Sequence, residues 1–179
     1  KDESPIEKHP AEAYHYLKEH FPGLDFEVKK AVYQHHECID GSGSPNGVHG
    51  RFFSKYSGII SFAVHLIMNT TENPFHPLKH PNIILQSVLT VLRDKFDDDV
   101  IMAYIHGAGF FPIGSWVLLN SGQIGVCLKN NPGAAKNPVV RTVLNSKFES
   151  IPYEDVDTKT SNIRIHSPVP YLEIKKRVP

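Results

Sequence analysis

Two adjacent imidazoles followed at once by a carboxylate open a dense run of coordinating groups, His35-His36-Glu37-Cys38-Ile39-Asp40-Gly41-Ser42-Gly43-Ser44-Pro45. Neutral imidazole and carboxylate are common ligands of divalent ions, so these types at this spacing point to half of a metal site. Successive residues on a helix project about 100 degrees apart, which suits two ions, or one ion approached from two sides, better than one tetrahedral ion. Asp40-Gly41 and Gly43 then supply a turn that ends the helix, because glycine accepts positive φ and aspartate bonds the backbone just ahead of it. A plainer role stays open: histidines at a helix end are favoured by the dipole without any metal.

The elements that must carry these groups are read from periodicity. Pro10, after His9, suits a first helical position, with Ala11, Tyr14, Leu17 and Lys18 following at helical spacing, so His9 stands at a helix entrance. Phe21-Pro22-Gly23 ends that helix, and a second begins near Leu24-Asp25 with Leu24, Val28, Ala31 or Val32, and His35 on one stripe. That stripe carries His35 inward. Ile59 to Ala63 is an apolar helix, and two more are expected over Asn82–Arg93 and Asp97–His106, where Asp97, Asp98 and Asp99 suit a helix N-terminus. Strands are expected at Ser115–Asn120, Gln123–Lys129, Val139–Leu144, Ile151–Asp157 and Ile163–Ile165, with Asn120-Ser121-Gly122 as a hairpin turn. The basic tail from Ser167, punctuated by prolines, reads as an edge or as disordered.

The central run resembles the signature of the HD-GYP family, metal-dependent phosphodiesterases of the HD superfamily that act on the bacterial messenger cyclic di-GMP. His35-His36-Glu37, Asp40-Gly41, Gly43 and Pro45 stand at fixed positions of that signature, while Ser44 stands where the tyrosine belongs. His9-Pro10 resembles the His-Pro that opens the preceding helix and supplies a further metal ligand. Two departures follow. Val64 occupies the place of the last metal-binding aspartate, and an isopropyl group donates no electrons to a cation; His65, one residue along, faces another direction on a helix. Asn73-Pro74-Phe75-His76 stands where the family has Arg-Pro-Tyr-Arg, so at Asn73 and His76 both phosphate-gripping guanidinium groups are gone. The run Phe111-Pro112-Ile113-Gly114-Ser115, the hairpin and Asn137-Pro138-Val139-Val140 resemble the β-rich extension that follows HD-GYP helices.

The resemblance implies a mainly α fold: residues 1–109 as the C-terminal helices of an HD-type bundle, residues 110–179 as a small β-rich extension. The upstream helices with the family's His-Asp pair are expected to lie outside this chain. They, another domain or another chain are the expected cover for the apolar face left open. The implied ligands are His9, His35 and His36, holding iron or manganese, with zinc compatible and no metal at all if the site is dead. The implied function is a module of cyclic di-GMP signalling that has lost catalysis and acts by protein contact or weak ligand binding. The alternative is an active phosphodiesterase yielding linear dinucleotide or GMP, and a third reading makes the histidines a structural metal staple. A diguanylate cyclase domain is the implied protein partner, although Ser44 removes the aromatic anchor of such a contact.

Composition bounds these readings. The 179 residues suffice for one domain or one with an appendage, and 19 basic against 19 acidic residues argue against bulk-charge attraction to a nucleic-acid polymer or membrane. Eleven histidines, several clustered, hint at metal chemistry. Two cysteines, Cys38 and Cys127, are too few for a disulfide framework and favour a reducing, cytoplasmic setting in a bacterium. The longest apolar run, Ile59 to Met68, is far short of the roughly twenty residues a membrane span needs.

Overall fold

In a computed structural model of the chain, residues 5–72 and 78–177 are described. The chain divides into two compact units, Lys1–Met68 with Ser87–Ile101, and Asn69–Gln86 with Met102–Pro179.

The first unit is helical. Helix α1 spans Pro5–His20, so it starts a turn earlier than Pro10 signals, and Pro10 lies inside it, fully buried. Lacking an N–H, Pro10 leaves the Ile6 carbonyl without its helical donor, a cost a helix bears best near its start. Helix α2 spans Phe26–Tyr33 and is capped by Asp25, whose side chain accepts from the Glu27 N–H at 2.7 Å. It ends at Tyr33, so His35 and His36 lie not on a helical stripe but on the turn that follows. Gln34 explains the early stop. Its buried amide donates to the Phe52 carbonyl at 3.0 Å and accepts from the Ser54 N–H and the Ser57 hydroxyl, ties that pull the chain out of the helix. Helix α3, Lys55–Thr70, carries the apolar run, and Phe62 meets Phe96 edge-on with ring centroids 5.5 Å apart. Helices α4, Pro81–Thr90, and α5, Asp98–Ala108, are each divided between the two units, and Asp97 caps α5 by accepting from the Asp99 N–H at 2.8 Å.

The second unit is built on a five-stranded antiparallel sheet in the order β4-β3-β2-β1-β5. Its strands are β1 Trp116–Leu119, β2 Ile124–Lys129, β3 Val139–Leu144, β4 Ser150–Asp157 and β5 Ile165–Pro168. In β3 the alternation buries Val140, Thr142 and Leu144 on one face, as a half-covered sheet requires. The expectation of a mainly α fold is therefore corrected: the protein is mixed α and β, with a sheet too large to count as a minor extension. The tail also differs from expectation. Pro168 closes β5, an edge strand paired only with β1, where a missing N–H is tolerated. Pro170 then begins α6, Tyr171–Arg177, accepting from the Glu173 N–H at 2.9 Å. Val169 and Ile174 of this tail join Ile124 and Leu144 in a buried cluster. Prolines that read as breakers are a strand end and a helix start.

Candidate metal centre

Three imidazoles converge in the helical unit. His9 comes from α1, His35 and His36 from the turn after α2, and one ring nitrogen of each lies within 4.8 Å of the others. All three side chains are half-buried. The ring centroids of His9 stand 5.0 Å from those of both His35 and His36, which are themselves 4.1 Å apart.

Hydrogen bonding sets the tautomer of His35. Its Nδ1 lies 2.6 Å from the Val32 carbonyl, which can only accept, so the proton sits on Nδ1 and Nε2 presents a lone pair. That lone pair faces His9 Nε2 at 2.9 Å. Without an ion, His9 donates to it; with an ion, both nitrogens are available as ligands. A backbone carbonyl behind a ligating imidazole is the support metal sites use to fix ring and tautomer. His36 is held well below its ordinary range, at about 4, first by burial and then by the neighbouring His35 and His9, so its ring is uncharged at neutral pH. A neutral imidazole is what a metal requires.

The donor set fits a divalent ion. Two nitrogens bound at about 2.1 Å lie about 3.0 Å apart when the bonds are at right angles and about 3.4 Å apart at the tetrahedral angle. The 2.9 Å between His9 Nε2 and His35 Nε2 is a hydrogen-bond distance, and it leaves the two nitrogens close enough to serve one ion.

The other singled-out residues have different positions. Glu37 is fully buried, yet the metal-capable group contains histidines alone; its carboxylate accepts from the Asn46 N–H at 2.7 Å and the Val48 N–H at 3.0 Å. Asp40 accepts from the Ser42 N–H at 2.9 Å, and Gly41, at φ 78°, completes the turn that this pairing starts. Gly43 lies so close to the chain that a Cβ there would fall 2.3 Å from the Glu37 Cα, so no side chain fits. The Ser44 N–H donates to the His36 carbonyl at 3.1 Å, while the Ser44 and Pro45 side chains are exposed. Val64 is half-buried on α3, and no carboxylate joins the histidines among the described residues. His65 packs its ring 5.1 Å from Phe96 and stays out of the group. Asn73 and His76 lie outside the described residues.

Sequence reasoning missed Gln34, which anchors the turn from behind. The signal was weak: a polar residue before two histidines reads as one more exposed position, and only its three partners reveal a buried amide.

No family model matches the chain. It is 26% identical over 124 residues to the cyclic di-GMP phosphodiesterase PA4108 of Pseudomonas aeruginosa, a match covering 69% of this chain and 30% of that protein. The similarity is distant. The chain thus spans less than a third of the relative it matches. Among the described residues no helix is long and apolar enough to cross a membrane.

Proposed function

We propose that this chain is an HD-GYP-type module of cyclic di-GMP signalling whose three histidines hold a divalent iron or manganese ion and whose catalytic capacity is lost. The observation that carries this reading is the convergence of His9, His35 and His36 within 4.8 Å, with no acidic partner among the described residues. The distant likeness to a cyclic di-GMP phosphodiesterase supports the signalling context. His9, His35 and His36 are the residues that would hold the ion, which when bound supplies Lewis acidity.

The loss of activity rests on charge. Three neutral imidazoles leave the full positive charge of the ion uncompensated, and Val64 adds no anion. Phosphodiester cleavage also needs cations around the phosphate, and Asn73 and His76 lack the guanidinium fork that supplies bidentate contacts. The module then acts through protein contact or weak ligand binding rather than turnover.

A second reading, an active phosphodiesterase, is favoured by one observation, the activity named for its relative. The two are separated by incubating the protein, loaded with manganese or iron, with cyclic di-GMP and resolving linear dinucleotide and GMP by chromatography. Absence of both products supports the silent module. Turnover that disappears in His36→Ala establishes the enzyme instead.

A further inference from the structure

Glu37 is an acidic residue placed directly after two candidate ligands, which makes it an obvious candidate for a third. Its surroundings say otherwise. Both oxygens already accept from backbone N–H groups, Oε1 from Asn46 and Oε2 from Val48, and the side chain is fully buried. A buried carboxylate is stable only where donors replace its water, and here those donors belong to the loop that follows.

The same loop grips the neighbouring backbone at two more points. The Ser44 N–H donates to the His36 carbonyl at 3.1 Å, and Gly43 sits on the Glu37 main chain, where a Cβ would lie 2.3 Å from Cα and 2.4 Å from the Cys38 nitrogen. Farther along, Asp40 and His49 pair as an isolated antiparallel bridge, and the Asn46 amide donates to the Tyr33 hydroxyl at 2.6 Å. His35 and His36 lie beyond the end of α2, so no helical ladder fixes their backbone. Besides Gln34 behind it, what holds this turn in front of His9 is the loop folded back beneath it, with Glu37 as its central fastening.

We propose that Glu37 is a positioning residue rather than a metal ligand: its carboxylate pins the 40–49 loop under the turn and so fixes His35 and His36 against His9. This rests on the metal-holding reading above. Two acceptors meet two donors, so an amide is no substitute: glutamine would turn its NH2 toward the N–H of Asn46 or Val48.

The test is a titration with cobalt(II) alone, followed by visible absorption, on the wild type and on Glu37→Gln, Gly43→Ala and His36→Ala. Cobalt reports its ligand set through its spectrum. Glu37→Gln and Gly43→Ala are expected to bind about 10- to 100-fold more weakly, yet to reach the wild-type spectrum at saturation. His36→Ala is expected to give a different spectrum. A changed spectrum in saturated Glu37→Gln, or unchanged affinity, overturns the proposal. Should either variant fail to fold, the wild type decides: on adding zinc, the imidazole 15N resonances of His35 and His36 are expected to move and the Glu37 carboxyl 13C resonance to stay, whereas movement of that resonance marks a ligand. If the wild type binds no cobalt, the metal reading fails by itself. The positioning role then stands on the metal-free variants, where altered imidazole 15N shifts support it and unaltered shifts overturn it.

Discussion

His35 turns one ring nitrogen to the Val32 carbonyl and the other to His9, and that division decides what the three rings can hold. Around it, Gln34 serves three partners: Gln34→Ala leaves the Phe52 carbonyl, the Ser54 N–H and the Ser57 hydroxyl without it. A cost of about 2–3 kcal/mol is expected, read by urea denaturation, because buried groups deprived of partners pay their full desolvation. His80 offers a pH test in the sheet-bearing unit. It is 7% exposed, accepts from the Asn82 N–H at Nδ1, and burial pushes its pKa below 6.5. The unfolded chain therefore takes up this proton first. Stability from His80 is complete above about pH 6.5 and is lost as the pH falls toward its folded value, and His36, at about 4, adds to the same slope. Urea midpoints at pH 7.5 and 5.0 should show this fall, and His80→Gln should reduce it. At this scale the motif made the meeting of His9 with His35 and His36 legible. The task of Glu37 was not, because nothing in its spacing says that its oxygens go to N–H groups nine and eleven residues onward.

For α1–α5 and β1–β4, existence and type could be read from periodicity, and what could not was where each stops. The hairpin between β1 and β2 and the burial alternation of β3 follow from turn chemistry and pattern. Helix α2 stops at Tyr33 because of side-chain partners far along the chain, which no local pattern records. The tail was legible as an edge, which β5 is, but not as the helix that follows it. Its basic residues, Lys175, Lys176 and Arg177, occupy the last turn of α6, where the dipole favours them, while Ile174 on the other face is buried. Ile174→Ala should destabilise the sheet-bearing unit by about 2–4 kcal/mol in urea melts, since it empties a position in the cluster with Ile124 and Leu144. On α3 the aligned position offers a gain-of-function test. Val64→Asp should raise metal stoichiometry in a manganese-loaded preparation, and unchanged metal content would argue against that alignment.

For the molecule as a whole, a helical unit carries the candidate site and a second unit carries the sheet. Expecting mainly α structure followed from weighting the helical signature over a C-terminal stretch of short strands, each weak alone; five of them in hydrogen-bonded order make a sheet. The distant likeness covers 69% of the chain and reaches 30% of its relative, so it bears on family context more than on activity. On the function proposed above, three imidazoles hold an ion at a site that no longer turns over. Measuring bound metal and cyclic di-GMP hydrolysis on one manganese-loaded preparation, beside His36→Ala, tests it most directly. About one ion per chain is expected in the wild type, with loss of that ion in the variant and no hydrolysis product from either. Histidine-dependent release of linear dinucleotide or GMP, or metal content identical in the two proteins, would contradict it.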